Sequence, residues 1–87
     1  LAVNALYWMG ECRYSLQDYT GAVSVFKGLV EKYPRGIKVP DALLKIAYSH
    51  LSLDDTDRAL HYLKNLVKQY PFSSAGEKAA ERLKEIN

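Results

Sequence analysis

The chain repeats its own sequence at an interval of 37 residues, and this repeat limits the possible folds more than any other feature of its 87 residues. Under that shift the pair Tyr33-Pro34 falls on Tyr70-Pro71, and Asp18 falls on Asp55. The other matches include Ala5 with Ala42, Leu6 with Leu43, Ala22 with Ala59, Leu29 with Leu66, Val30 with Val67 and, in a third partial copy, Ala42 with Ala79. The sequence therefore contains two and a half copies of one structural unit.

Each unit contains two segments whose apolar residues recur at helical spacing. In the first segment of the second unit, Leu43, Ile46 and Ala47 occupy positions i, i+3 and i+4, which lie on one face of a helix. The second segment of each unit has the same period. We call the first segment helix A and the second helix B. The pattern predicts five helices and no strands, with helices over about 2–16, 19–33, 38–53, 56–70 and 74–86.

The residues between the predicted helices are typical of short turns. The turns before the two B helices contain Asp18 and the stretch Asp54 to Asp57, whose side-chain oxygens can accept hydrogen bonds from free backbone amides. Each Tyr-Pro pair ends a B helix, because proline has no amide hydrogen to continue it. Ser74 and Glu77 have the spacing of a capping box before the last helix. Turns this short predict that neighbouring helices are antiparallel.

These elements define a fold class and a domain organisation. We predict an all-α protein in which antiparallel helix pairs stack into a right-handed superhelix. The whole chain, 1–87, forms a single domain. Its parts are one repeat over 1–34, a second over 38–71 and a C-terminal capping helix over 74–87.

Composition excludes several other classes of function. The formal net charge is +2, and the charges of both signs are interspersed, so no basic stripe indicates a nucleic-acid partner. No apolar run is long enough to predict insertion into a membrane. The single cysteine, Cys12, excludes an internal disulfide and a site built from several thiolates.

The repeated positions resemble those of the tetratricopeptide repeat family. In the second unit these positions are Leu43, Ile46, Ala47, Ala59 and Pro71, with small residues where two helices cross closely. The first unit departs slightly from the second, with Gly10 in place of Ala47 and Phe26 in place of Leu63. The repeat is also longer than the usual 34 residues of this family. The resemblance implies a protein that binds other proteins.

Longer segments resemble a narrower family, the periplasmic Tol-Pal proteins called YbgF or CpoB. These segments are NALYWMGECRY from Asn4 to Tyr14, PDALLK from Pro40 to Lys45, and YPFSSAGEKAAERL from Tyr70 to Leu83. The resemblance implies a periplasmic adaptor that binds TolA, contacts a peptidoglycan synthase, and coordinates outer-membrane constriction with septal peptidoglycan synthesis in cell division. It also implies trimerisation through an N-terminal coiled coil that this chain does not contain. A scaffold in another envelope assembly, such as a BamD-like lipoprotein, is the alternative.

The geometry of stacked helix pairs predicts a binding surface, because the A helices line the concave side of such a superhelix. We expect a partner segment to lie along aromatic and apolar residues of helix A with polar residues at their edges. The predicted binding residues are Asn4, Tyr7, Glu11, Tyr14, Asp41, Leu44, Lys45, Tyr48 and Leu51. Tyrosines at these places could equally be packing material between repeats. For Trp8 we expect a structural role.

The sequence gives little support to catalysis or to a cofactor. Cys12, His50 and His61 are the candidate reactive residues, and the 37-residue register places them on different helices or different faces. Two isolated histidines without further ligands at suitable spacing do not predict a metal site. We therefore expect neither a catalytic centre nor a metal or cofactor.

Overall fold

The computed structural model describes residues 2–86 and contains five α-helices in that range and no strand. The helices are α1 (Val3–Ser15), α2 (Tyr19–Lys32), α3 (Val39–Ser52), α4 (Thr56–Gln69) and α5 (Ser74–Ile86). The prediction of an all-α chain of two and a half helical repeats is confirmed, and each helix ends within one residue of its predicted bounds. The A helices are α1, α3 and α5, and the B helices are α2 and α4.

Each helix packs against the next along the chain, and α3 also contacts α5. This order of contacts gives an elongated molecule of 37 × 26 × 17 Å. Side-chain contacts of Lys45 on α3 with Glu11 and Tyr14 on α1 complete the row, so the A helices are neighbours along the stack. Because every unit contacts only its neighbours, any surface that runs along the A helices is shared between repeats.

The two turns from helix A to helix B have the same hydrogen bonds. After α1, the amide of Gln17 donates to the carbonyl of Tyr14, and the amide of Asp18 donates to that of Arg13. The equivalent bonds after α3 start from Asp54 and Asp55. This pair of bonds is the Schellman ending of a helix, which needs a residue with positive φ. Gln17 and Asp54 supply it, with φ of 63° and 59°.

The residue that follows each positive-φ residue, Asp18 or Asp55, caps the start of the next B helix. The carboxylate of Asp18 accepts a hydrogen bond from the amide of Gly21 at 3.0 Å, and that of Asp55 accepts one from Arg58 at 3.3 Å. Each Asp therefore serves two helices: its backbone amide closes helix A, and its side chain caps helix B. The predicted capping role is confirmed for Asp18 and, within the stretch Asp54 to Asp57, for Asp55.

The turns from helix B to helix A differ from each other. Pro40 lies in the first turn of α3, where a missing amide hydrogen leaves no bond unmade. Before α5, the side chain of Ser73 accepts a hydrogen bond from the amide of Gly76 at 2.9 Å. The predicted capping box of Ser74 and Glu77 is therefore wrong by one residue, because Ser74 already lies inside the helix.

The core consists of two clusters, each of which crosses the boundary between neighbouring units. The first joins residues of α2 and α3, including Phe26, Leu29 and Ile46, each at most 1% exposed. The second joins α3, α4 and α5 around Leu63 and Leu66, which are fully buried. Small residues lie at the helix crossings. An added Cβ at Gly10 would lie 2.5 Å from the ring of Phe26, so the packing of α1 on α2 leaves no room for a side chain at this position.

Candidate functional site

Contacts between neighbouring A helices bring charged and aromatic side chains together. The ammonium group of Lys45 on α3 lies 3.2 Å from the carboxylate of Glu11 on α1. The same ammonium lies 4.3 Å from the centre of the Tyr14 ring. Lys45 is thus held between an ion pair and a cation–π contact, both made with the preceding A helix.

Similar contacts occur further along the stack. Lys38, just before α3, places its ammonium 5.0 Å from the ring centre of Tyr7 on α1. Arg82 on α5 places its guanidinium 4.8 Å from the ring centre of Tyr48 on α3. Arg82 follows Lys45 by 37 residues, so the repeat provides a cation at the same place twice. We call this surface the tyrosine–cation face; its residues are Tyr7, Glu11, Tyr14, Lys38, Lys45, Tyr48 and Arg82.

Tyr7 connects this face with the core. Its ring centre lies 5.5 Å from that of Phe26, and the residue is half-buried against the first core cluster. Burial, together with the charges of Glu11 and Asp41, raises the pKa of Tyr7 to about 12. Its hydroxyl group is therefore neutral at physiological pH and can donate a hydrogen bond. The ring of Tyr7 thus contacts both the first core cluster and the ammonium group of Lys38.

The structure places the other predicted binding residues as follows. Asn4 is exposed, whereas Asp41 and Leu51 are half-buried. Leu44 is only 6% exposed and belongs to the second core cluster. Its side chain is part of the core and is not presented to a partner, because α3 is covered by other helices on more than one side. Every other member of the predicted set retains exposed surface.

Sequence reasoning missed three residues that the structure makes prominent. Lys38 and Arg82 belong to the tyrosine–cation face, and the register that relates Arg82 to Lys45 could have found the second of them. Trp8, for which the sequence predicts a structural role, is 66% exposed. Its exposure could not be seen in its own helical pattern, because it depends on which helix lies beside α1.

The three candidate reactive residues do not form a cluster. Cys12 is exposed on α1 and His61 is exposed on α4. His50 on α3 is 7% exposed and stacks on Tyr62, with ring centres 5.7 Å apart. Within residues 2–86, no group of three or more His, Cys, Asp or Glu side chains is arranged to hold a metal ion.

Comparison with known families identifies the class of protein. The tetratricopeptide repeat model matches residues 4–36 and 41–73, which together make up more than half of the chain. The two matched segments are offset by the same 37 residues as the internal repeat. The chain therefore belongs to the tetratricopeptide repeat family. A search of curated proteins found no match.

Membership of this family fixes the general type of activity. Tetratricopeptide repeats are protein-interaction scaffolds, and their helical-repeat fold is typically non-enzymatic. None of the helices in the described part of the chain is both long enough and apolar enough to span a bilayer. The exposed side of the A helices is thus the first place to look for a partner.

Proposed function

We propose that the tyrosine–cation face binds an extended or helical segment of a partner protein, and that this partner is TolA of the Tol-Pal system. The observation that carries the proposal is the row of cation–tyrosine contacts that runs over α1, α3 and α5. It makes one continuous surface from three A helices, long enough for a peptide to contact more than one repeat.

The chemistry of this face suits peptide recognition. Tyrosine offers a large contact area and a hydrogen-bonding hydroxyl, and it loses little conformational freedom on binding. Lys45 and Arg82 already rest on aromatic rings, so their charges are oriented before a partner arrives. Asn4 and Asp41 flank the face and can bond the backbone of a bound segment. The same contacts also hold neighbouring repeats together, so a test must separate binding from stability.

The choice of TolA rests on the resemblance of Asn4–Tyr14, 40–45 and Tyr70–Leu83 to YbgF/CpoB proteins. Under this proposal the protein acts in the periplasm as an adaptor that helps coordinate outer-membrane constriction with septal peptidoglycan synthesis during cell division. A peptidoglycan synthase would be a second partner, and a coiled coil elsewhere in the intact protein would make it a trimer. A scaffold in a BamD-like outer-membrane assembly is the alternative assignment.

Calorimetric titration with purified periplasmic fragments of TolA tests the proposal. We expect saturable binding to the native chain and a loss of tenfold or more in affinity, about 1.4 kcal/mol, for Tyr48→Ala. Lys64→Ala is the matched control, since Lys64 is exposed on helix B outside the face. It should change the affinity less than about twofold. Circular dichroism of each variant verifies that the fold is retained.

The two levels of the proposal can fail separately. Binding of TolA that Tyr48→Ala and Lys45→Ala leave unchanged would refute the tyrosine–cation face as the site. The absence of binding to any TolA fragment at millimolar concentration would refute the Tol-Pal assignment. In that case titration with peptides from outer-membrane assembly partners would test the alternative.

A further inference from the structure

One side of α1 carries apolar side chains that no helix covers. Trp8 is 66% exposed, Met9 44% and Leu16 80%, and Ala5 and Cys12 between them are exposed as well. We call these five residues the outer face of α1. They border an open groove of about 540 Å³. In α2 to α5 the apolar residues concentrate on one side, whereas in α1 they are spread around the helix axis.

The internal repeat shows what covers the same face elsewhere in the molecule. Thirty-seven residues further on, Ala5, Met9 and Cys12 become Ala42, Ile46 and Ser49, which are at most 1% exposed. These α3 residues are buried because α2 packs on that side, and Ala42 and Ile46 share a core cluster with Val23, Phe26 and Leu29 of α2. A helix B thus lies on α3 at the surface that α1 leaves open.

Trp8 has a similar counterpart. It is equivalent to Lys45, which reaches across to Glu11 and Tyr14 of the preceding A helix. Trp8 is therefore placed to contact an A helix lying before α1, just as Lys45 contacts α1. The residues of α1 that are equivalent to these α3 residues are therefore suited to contact two further helices. Ala5, Met9 and Cys12 would contact a preceding helix B, and Trp8 would contact a preceding helix A.

The opposite end of the stack differs. The apolar residues Ala75, Ala79, Leu83 and Ile86 of α5 belong to the second core cluster or pack on it. Its remaining surface carries charged, exposed side chains at Glu77, Lys78, Glu81, Lys84 and Glu85. A solenoid needs polar surfaces at its free ends, and α5 has one while α1 does not. An uncovered patch of this kind on a repeat protein marks an interaction surface.

We propose that the outer face of α1 is the docking site for one more repeat helix of the B type, contributed by a preceding unit of the same stack. The docking helix would present an apolar stripe like that of Val23, Phe26 and Leu29 on α2, packed against Ala5, Met9 and Cys12. The rim of the groove is an ion pair, Arg13 with Asp18 at 2.8 Å, which leaves the site without net charge. The docking helix should therefore present an apolar stripe of low net charge to the outer face of α1.

A second copy of this chain is a poorer occupant. The sides of α2 and α4 that could cover an A helix are already occupied by α3 and α5. A second copy could offer only its own α1, and a contact between two α1 helices does not reproduce the contact of a helix B with a helix A that buries the equivalent residues of α3.

An in-phase extension of the chain tests the proposal. Leu1 is equivalent to Lys38, so a copy of residues 1–37 that carries Trp8→Phe, placed directly before Leu1, continues the repeat without a shift and supplies a helix B together with the helix A before it. Trp8, the chain's only tryptophan, reports on the site by fluorescence. We expect its emission to shift to the blue, its quenching by acrylamide to slow, and the Tm to rise by at least about 4 °C.

Two variants of the added copy provide the matched comparison. Val30 borders the same groove as Ile46, so Val30→Asp made only in the added copy should abolish the blue shift and the gain in Tm. Ser24 is exposed on α2, so Ser24→Asp in the added copy should leave both unchanged. Equal losses from the two variants would contradict the predicted orientation of the helix.

Other results would overturn the proposal outright. If Trp8 stays exposed and the Tm does not rise in the extended chain, a preceding unit does not dock there. If the unextended chain shows a concentration-dependent blue shift together with dimers in sedimentation, a second copy covers the face instead. None of these readouts depends on TolA, so this inference and the proposed partner stand or fall independently.

Discussion

Gly10 and Ala47 occupy the same place in the two repeats, and the side chains near them differ in size to match. In the first repeat Gly10 meets the ring of Phe26, and in the second Ala47 shares a cluster with the smaller Leu63. The pair of residues, rather than either one alone, sets how closely helices A and B approach.

Gly10→Ala should therefore be destabilising in a way that depends on Phe26. Its Cβ would lie 2.5 Å from the buried ring, and overpacking of this kind costs about 1–3 kcal/mol. Part of that cost is offset by the roughly 1 kcal/mol by which Ala favours a helix over Gly. The double variant Gly10→Ala/Phe26→Leu recreates the second repeat's pair and should be more stable than the sum of the single effects predicts.

Urea unfolding of the two single variants and the double variant measures this coupling. We expect a favourable interaction of at least about 0.5 kcal/mol between the two substitutions. Additive effects would mean that Gly10 and Phe26 do not limit one another, contrary to the packing described above.

His50 should make stability depend on pH. Burial lowers the pKa of His50 below its ordinary value of 6.5, opposed by Asp55 and assisted by Arg58 and Lys27. Neither ring nitrogen has a hydrogen-bond partner within the described residues. Because the unfolded chain then binds more protons than the folded chain, stability is full above about pH 6.5 and falls as the pH decreases below it.

Denaturation midpoints measured between about pH 7.5 and about pH 5 test this sign. The decrease should be smaller in His50→Gln, while His61→Gln, which changes an exposed histidine, should retain it. A His50→Gln variant with the native pH dependence would show that other groups are responsible.

In the turns from helix A to helix B, two consecutive residues are enough to end one helix and start the next. One left-handed residue ends helix A, and the aspartate after it both completes that ending and caps helix B. The two turns use Gln17 and Asp54 at the left-handed position, although glycine is the residue that adopts it most readily.

Gln17→Gly should therefore stabilise the domain. It removes the steric cost of a side chain at a φ of 63°, for a net gain of up to about 1 kcal/mol after the greater freedom of glycine in the unfolded chain is counted. Ser24→Gly, an exposed change within α2, should instead cost about 0.5 kcal/mol. Thermal unfolding of the two variants should give shifts in Tm of opposite sign, and a loss of stability in both would contradict the assignment of the turn.

Helix positions were predictable from the sequence because local signals define them. The Tyr-Pro pairs, the capping aspartates and the apolar period each act within one or two turns, so the ends of all five helices came within one residue. Leu44 shows where local signals stop. Its place on helix A fits an exposed face, but α4 and α5 together bury it, and this depends on the packing of three helices.

At the scale of the whole molecule, the stack has two unlike ends and one shared side. The charged α5 closes one end, while the outer face of α1 leaves the other open. The 37-residue register predicted that the A helices would lie side by side. It did not predict which cations would contact which tyrosines, because each contact joins side chains from different repeats. Lys38 contacts Tyr7 across 31 positions and Arg82 contacts Tyr48 across 34, distances at which no local pattern gives a signal.

Chemical-shift mapping tests the central claim, that the tyrosine–cation face binds a partner segment. An isotope-labelled domain titrated with the periplasmic fragments of TolA should show saturable shifts at Asn4, Tyr7, Lys45, Tyr48 and their neighbours, with little change along the exposed sides of α2 and α4. Saturable shifts confined to the B helices or to the outer face of α1, with the tyrosine–cation face unchanged, would contradict it.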